Sequence, residues 1–161
     1  MEIKLRNMTS VYLVEKEGIL CLYRIGSRVA NRKIVGAAGG HFEPEELNDP
    51  KRCVLRELSE ELGLRESDLE GLSLRYVTHR LMGQEIRQNY YFFARLKDAR
   101  EITSTEGSLR HVRWEEIGNQ DMPVSAKHML LHYAAEGRFT DHIYAGITEE
   151  AGTQFRIMRS F

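Results

Sequence analysis

Long apolar runs, a cysteine framework and a strong net charge are all missing from this sequence of 161 residues. No stretch is apolar for long enough to span a bilayer, and the polar start Met1–Lys4 lacks the apolar core of a signal peptide. The two cysteines, Cys21 and Cys53, do not suggest a disulfide framework. We therefore expect a cytoplasmic protein that is not inserted in a membrane.

The charge balance also limits the class of partner. The formal net charge is -1 at pH 7, whereas a protein that wraps a long nucleic acid normally needs a basic face. A mononucleotide is not excluded, because a bound metal ion can neutralise its charge. Hydrophobic residues at 42% and charged residues at 29% are typical of a globular chain and give no sign of disorder.

Length and patterning predict a single domain of mixed α and β structure, covering residues 1–161. No repeat, linker or low-complexity segment divides the chain. Short apolar runs between turn residues predict strands, and apolar residues at three- and four-residue spacing predict helices. The predicted strands cover 9–14, 19–23, 34–40, 72–81, 86–96 and 111–114, the predicted helices cover 50–62 and 125–136, and a C-terminal β-hairpin extension covers about 141–161.

The ends of both helices carry recognisable signals. Asp49 before Pro50 predicts an N-cap followed by proline at the first helical position, and Gly63 predicts the C-terminal stop. Ser125 is predicted to cap the second helix and Gly137 to end it.

Three glutamates of the first helix, Glu57, Glu60 and Glu61, form the candidate reaction centre. Carboxylates at i, i+3 and i+4 share a helical face, and such like charges repel by roughly 0.2 to 0.5 kcal/mol per pair unless something neutralises them. Mg²⁺ and Mn²⁺ are hard ions that prefer carboxylate and phosphate oxygens. The alternative is a solvated acidic face partly balanced by Arg52 and Arg56, since exposed charges are the usual state of such residues.

The residues around these glutamates resemble the motif of the Nudix family, G-x5-E-x7-R-E-U-x-E-E-x-G-U, in which U is aliphatic. Residues 56–64 match its second half at every fixed position, and Gly40 and Glu46 match its first half. Nine residues, 47–55, stand where the family has seven. The extra two lengthen the loop before Pro50, which a surface loop tolerates at little entropic cost.

The resemblance implies a fold, a cofactor and a set of roles. The implied fold is an α/β/α sandwich around a mixed sheet, and the implied cofactor is Mg²⁺ or Mn²⁺. Carried over by position, Glu60 and Glu61 are metal ligands, and Glu57 is either a ligand or the catalytic base. The implied metal-binding groups are the carbonyl of Gly39 and the carboxylates of Glu57, Glu60 and Glu61, and the implied bracing residues are Gly40, Glu46 and Arg56.

Two residues outside the motif are further candidates. Glu106, in the polar loop 100–107, resembles the additional catalytic or metal-binding glutamate that MutT-like members place before the next strand. Arg24, after the second strand, resembles a contact to substrate phosphate, and an arginine fork suits phosphate geometry. A surface role is the alternative for both residues.

The activity implied by the resemblance is metal-dependent hydrolysis of the diphosphate linkage in a nucleoside diphosphate derivative. Element order and Arg24 are most similar to nucleoside triphosphate pyrophosphohydrolases, including those of oxidised dGTP. However, segment 121–126 lacks the asparagine with which MutT-like members read oxidised guanine, and Ala37-Ala38 replaces a usual proline. Open alternatives are an ADP-ribose or dinucleoside polyphosphate hydrolase, a prenyl-diphosphate isomerase and a non-catalytic nucleotide-sensing module. A homodimer contact through the tail from Asp141 also stays open.

Overall fold

The computed structural model describes residues 2–26 and 31–161, and in that part of the chain nine strands form one sheet. Two α-helices accompany the sheet, together with short 3-10 turns. The strands are β1 Lys4–Glu15, β2 Gly18–Arg24, β3 Ile34–Gly36, β4 Ala38–His41, β5 Leu69–Met82, β6 Glu85–Leu96, β7 Gly107–Arg113, β8 Ile143–Glu149 and β9 Gly152–Met158, and the α-helices are α1 Pro50–Leu62 and α2 Val124–Ala135.

The sheet is mixed, as the resemblance implied. Its main path runs β3-β2-β1-β6-β5-β8-β9, with β4 paired to β1 and β7 paired to β2. Strands β1 and β6 are parallel, as are β5 and β8, whereas the other pairs are antiparallel. Strand β1 lies inside the path, and because strand side chains alternate, its residues reach both the motif helix and the opposite layer.

Each face of the sheet is covered by one helix. Val11 and Leu13 of β1 join Leu58 of α1 in one buried cluster. Tyr12, which points to the other face because strand side chains alternate, joins Met129 of α2 in a second cluster. The α/β/α sandwich that the sequence predicted is therefore confirmed. Neither described α-helix combines the length and the apolar character needed to cross a membrane.

Helix α1 has the predicted bounds and the predicted ends. The Asp49 side chain accepts a hydrogen bond from the backbone N–H of Arg52 at 3.0 Å. At the other end Gly63 adopts a φ of 66°, a left-handed conformation that glycine reaches without a side-chain clash. Pro50 occupies the first helical position, where its missing N–H has no helical partner to lose.

The predicted cap of α2 is wrong. The helix begins at Val124 with Pro123 as its N-cap residue, so Ser125 lies inside the first turn. The Ser125 hydroxyl donates instead to the Thr148 hydroxyl at 3.2 Å, which ties α2 to β8. The Ser125 side chain therefore forms a tertiary hydrogen bond instead of capping the helix.

Several predicted strands also have different bounds, and β1 begins at Lys4 rather than at residue 9. The predicted strand 34–40 is divided into β3 and β4 at Ala37, whose N–H donates to the Val11 carbonyl at 2.8 Å. The chain changes partner at this residue, from β2 to β1, so one continuous ladder is impossible. Strand β7 begins at Gly107 rather than at residue 111, because its polar first half also pairs along β2.

Candidate active site

Gly39 and Gly40 bring the backbone of β4 very close to its neighbours. A Cβ atom on Gly40 would collide with the carboxylate of Glu57, and one on Gly39 would collide with the carbonyl oxygen of Thr9. A larger residue at Gly40 would displace the Glu57 carboxylate, and one at Gly39 would push β4 away from the backbone of β1. Glycine at these two positions allows the motif helix to rest against the strand that precedes it.

Arg56 and Glu46 join α1 to the loop before it. Arg56 Nε donates to Glu46 Oε1 at 2.6 Å, and Arg56 Nη2 donates to Glu46 Oε2 at 3.1 Å. Arg56 Nη2 also donates to the carbonyl oxygen of His41 at 3.1 Å, which adds β4 to the same contact. The bond from Arg56 is the largest cause that lowers the pKa of the buried Glu46 carboxyl, to about 2.

The longer connection between the two motif halves does not disturb this contact. Residues 47–49 link a 3-10 turn at Pro44–Glu46 to the start of α1. The N–H of Asp49 donates to the Glu46 carbonyl at 2.8 Å, which keeps the link compact. Glu46 and Arg56 consequently meet despite the two extra residues.

The three helix glutamates lie in different environments. Glu57 is buried and contacts Arg56 Nη1 at 2.9 Å, whereas Glu60 is 59% exposed and contacts the same nitrogen at 3.1 Å. Glu61 is partly buried, and its Oε2 accepts a hydrogen bond from the N–H of Gly39 at 3.2 Å. Burial raises the pKa of Glu57, and burial raises the pKa of Glu61 to about 7.

Arg24 and Glu106 complete the group around Glu61. Arg24 Nη2 lies 3.5 Å from Glu106 Oε2. The charges of both residues act on Glu61, since Arg24 lowers its pKa and Glu106 raises it. Arg24 Nε is buried and has no hydrogen-bond partner among the described residues, so a donor is available at this point.

A cavity of about 160 Å³ opens beside this group. Gly39, Glu61 and Arg24 line one end, the sheet face formed by β1 and β6 provides the floor, and the segment 123–126 provides a wall. The cavity joins the proposed reaction centre to a space between the sheet and the first turn of α2.

The donor chemistry of the site fits a hard divalent cation. Within residues 2–26 and 31–161, no three carboxylate, imidazole or thiolate side chains already converge as a metal-binding group. Two of the helix carboxylates, Glu57 and Glu60, contact Arg56 Nη1. The available ligands are nevertheless carboxylate and carbonyl oxygens, which Mg²⁺ and Mn²⁺ prefer.

Most of the residues selected from the sequence lie in one place. Gly39, Glu61 and Arg24 line the same end of the cavity, Glu106 pairs with Arg24, and Glu57 lies against Gly40, whereas Glu60 is exposed. Their catalytic and metal-binding roles stay predictions, because the arrangement alone tests none of them.

Sequence reasoning missed three arginines that line the other end of the cavity, Arg6, Arg80 and Arg87. A signal for one pair was present. Residues 80 and 87 are equidistant from the turn between the two long hairpin strands, so a tight hairpin places them opposite each other.

Comparison with known proteins identifies the fold type. The family model described as the NUDIX domain matches residues 4–133. A MutT protein from Bacillus halodurans superposes with a TM-score of 0.67 at 20% identity, covering 94% of this chain and 97% of that chain. A NUDIX hydrolase from Nitrosomonas europaea has a TM-score of 0.67 at 18% identity, with coverage of 92% and 81%.

An Ap4A hydrolase from C. elegans is also similar, with a TM-score of 0.63 at 14% identity and coverage of 83% and 96%. At these identities the likeness to solved structures concerns the fold. No curated protein matches the chain. Strands β8 and β9 lie beyond the residues that the family model matches.

Proposed function

Because the chain belongs to the Nudix hydrolase family, we propose that it hydrolyses the diphosphate linkage of a nucleoside diphosphate derivative. The observation that carries this proposal is the position of Glu61. Its carboxylate accepts the N–H of Gly39 and lies near Arg24 at one end of the cavity. A carboxylate, a backbone carbonyl and an arginine thus adjoin one ligand-sized space.

Glu57, Glu61 and the carbonyl of Gly39 are the groups that would hold a Mg²⁺ or Mn²⁺ ion. When bound, the ion would neutralise charge on the phosphate oxygens and orient the attacking water. Glu57 would exchange its contact with Arg56 for the ion, and Glu60 would join it from the outer side of the helix. Arg56 stays tied to Glu46 through its other nitrogens and keeps the helix in place during that exchange.

Glu106 is the proton acceptor in this proposal, and Arg24 is the phosphate-binding residue. Glu106 reaches the site from the loop before β7, so it approaches the substrate from a different element than the helix glutamates. It is 40% exposed, and its carboxylate is free of contacts with Arg56. The guanidinium of Arg24 lies within reach of both Glu106 and a phosphate in the cavity.

A nucleoside triphosphate, oxidised dGTP among them, is the first candidate substrate. The likeness to a MutT protein favours it, while the likeness to an Ap4A hydrolase supports a dinucleoside polyphosphate as the second candidate. ADP-ribose stays in the same class, since it also contains a diphosphate between two larger groups.

The isomerase alternative loses support in the structure. Cys21 and Cys53 are both buried, and neither lines the cavity. Burial raises the pKa of the Cys53 thiol to about 12 and also raises that of Cys21. Neither thiol is therefore placed to donate a proton to an alkene in the cavity. The non-catalytic alternative is disfavoured because all three helix glutamates are present.

A substrate panel tests the proposal. dGTP, 8-oxo-dGTP, ADP-ribose, diadenosine polyphosphates and capped RNA would be incubated with Mg²⁺ and with Mn²⁺, and the products identified by mass. Metal-dependent release of a nucleoside monophosphate or of pyrophosphate is expected. If no diphosphate is cleaved under either metal, the hydrolase proposal is wrong.

Matched variants then test the assigned residues. Glu60→Gln and Glu61→Gln should each lower turnover by orders of magnitude, and Glu106→Gln should lower kcat when the substrate is saturating. Glu66→Gln is the control, because Glu66 is exposed and pairs with Lys51 away from the cavity. Full activity in all three site variants would remove them from the catalytic group.

We also propose that residues 1–161 act as one domain in the cytoplasm. Continuous pairing from β3 to β9 supports the single domain. Light scattering of the full chain and of a chain shortened before Asp141 would decide whether the C-terminal hairpin forms a homodimer contact.

A further inference from the structure

Three arginines form a row across the sheet at the end of the cavity away from Glu61. Arg6 of β1 is in register with Arg87 of β6, and Arg87 is in register with Arg80 of β5. All three side chains line the cavity and are partly buried. We call these residues the arginine row. Neighbouring strands thus place three positive charges side by side inside one cavity.

Such a row is unfavourable unless negative charge balances it, because like charges directly opposite each other destabilise a sheet. Glu85 supplies one negative charge, with its Oε1 at 2.7 Å from Arg87 Nε and at 3.9 Å from Arg6 Nη1. His41 Nε2 accepts from Arg6 Nε at 2.7 Å, and a neutral imidazole adds no negative charge. One carboxylate therefore contacts two of the three guanidinium groups.

Of the three arginines in the row, Arg80 has the most hydrogen-bond donors available to a ligand. It forms no hydrogen bond or ion pair with any residue that the structure describes, whereas Arg6 and Arg87 both contact Glu85. Guanidinium groups carry five donors in a planar fork and never lose their charge in proteins. The donors of Arg80 are consequently left for a bound group or for water.

The row is well separated from the proposed cleavage centre. Ser10 pairs with Gly39, and Arg6 lies four residues earlier on the same strand, which is about 13 Å at roughly 3.3 Å per residue. The first turn of α2, residues 124–126, also lines the cavity. A helix N-terminus is partly positive, so it adds to the attraction for negative charge in this space.

We propose that the arginine row binds an anionic group, a phosphate or a carboxylate, that the substrate carries at a distance from the diphosphate that is cleaved. The inference rests on the proposed function and narrows its substrate class. A nucleotide with one charged end would occupy the centre at Glu61 alone. A ligand with a second anionic group would bridge the cavity and balance both charged ends.

A neutral base is the competing ligand for the same donors. Arginine pairs with the O6 and N7 acceptors of guanine, but a neutral guanine would leave the excess positive charge of the row unbalanced. An anion forms the same fork geometry and supplies the missing charge as well. The charge count across the row therefore favours the anion.

Binding by the unmodified chain would be measured in EDTA, where no metal supports the cleavage centre. Isothermal calorimetry would compare adenosine 5′-monophosphate and guanosine 5′-monophosphate with adenosine 2′,5′-bisphosphate and adenosine 3′,5′-bisphosphate. We expect at least one bisphosphate to bind tenfold or more tightly than adenosine 5′-monophosphate. Arg80→Gln and Arg87→Gln should each reduce this gain to less than threefold.

Arg95→Gln is the matched control, because Arg95 lies on the same strand as Arg87 but outside the cavity. It should retain the gain of the unmodified chain. Competition with inorganic phosphate and with malonate then distinguishes the two anions, since the better competitor identifies the preferred group. Circular dichroism of each variant would show whether the fold is preserved.

Two results would overturn the proposal. One is the absence of a bisphosphate gain in the unmodified chain, whether the three adenosine compounds bind equally or guanosine monophosphate binds more tightly than all of them. The other is a bisphosphate gain that survives both arginine variants. Because binding in EDTA requires no turnover, failure of the hydrolase proposal would appear in the substrate panel and not in this measurement.

Discussion

The guanidinium of Arg56 forms two hydrogen bonds with the carboxylate of Glu46, Nε to Oε1 at 2.6 Å and Nη2 to Oε2 at 3.1 Å. Glu46 is only 2% exposed, so water offers its carboxylate little alternative. Removing the charge from one partner leaves the other poorly satisfied in a buried place. The pair joins both halves of the motif and makes the position of α1 sensitive to a single side chain.

Glu46→Gln should therefore lower the free energy of unfolding by about 2 kcal/mol, the range for a hydrogen bond to a charged group. Urea unfolding at pH 7 would measure the change. Glu43→Gln is the matched control, since Glu43 is 49% exposed and lies 3.7 Å from Arg56 Nε. That variant should stay within about 0.5 kcal/mol of the unmodified chain. Equal losses in the two variants would contradict the special position of Glu46.

The contribution of Glu46 should also depend on pH. Its pKa is lowered from 4.5 to about 2 in the folded chain, mainly by the bond from Arg56. A lowered folded pKa gives stability that is fully present above the unfolded value and is lost as the pH falls towards the folded value. The difference between the unmodified chain and Glu46→Gln should thus shrink from pH 4.5 towards pH 2. Denaturant unfolding across this range checks it, and a constant difference would speak against the assignment.

Metal affinity should fall in mildly acidic solution. Burial raises the pKa of Glu61 from 4.5 to about 7, so this carboxyl holds a proton in the metal-free chain below neutral pH. A ligand must lose that proton to bind a cation. We expect Mn²⁺ affinity to drop by about tenfold per pH unit below pH 7, as for release of one proton. Calorimetry between pH 6 and 8 in buffers of different ionisation enthalpy would test this, and Glu61→Gln should weaken the dependence, leaving the part due to Glu57, whose pKa burial also raises.

The C-terminal hairpin should contribute to stability through Tyr144. Its ring stacks on that of Tyr76 at a centroid distance of 5.1 Å, and the residue is 4% exposed. Tyr144→Ala should lower the free energy of unfolding by about 3 to 5 kcal/mol, the range for truncating a buried large aromatic side chain. Ile147→Ala, on the same strand but 53% exposed, should have a small effect. A result in the reverse order would mean that β8 does not pack as described.

Features that depend on neighbouring residues could be predicted from the sequence. Asp49, Pro50 and Gly63 lie next to the helix ends that they define, and their signals need no distant partner. The glutamates of α1 likewise follow from spacing within one helix. The predicted cap at Ser125 failed because Thr148, 23 positions away in the sequence, holds its hydroxyl.

Features that depend on strand order could not be predicted in this way. The division at Ala37 requires knowledge that β4 pairs with β1 while β3 pairs with β2. The arginine row likewise combines a local hairpin pair, Arg80 and Arg87, with Arg6 from a strand about 80 residues away along the chain. The parallel pairing of β1 with β6 brings Arg6 into the row, and hydrophobic pattern does not specify which strands become neighbours.

A series of side-chain hydrogen bonds joins α2 to the C-terminal hairpin, which gives the hairpin a role beyond the stability of the fold. Ser125 bonds to Thr148, Thr148 lies 2.9 Å from the hydroxyl of Thr153, and Thr153 lies 2.8 Å from His128 of α2. Two turns of α2 are thereby fastened to the hairpin, and the first of them is a wall of the cavity. A chain cut after the family match would retain every predicted catalytic residue yet lose the hydrogen bonds that hold this wall of the cavity to the hairpin. Ligand preference could accordingly be redesigned from the hairpin, with the catalytic motif left untouched.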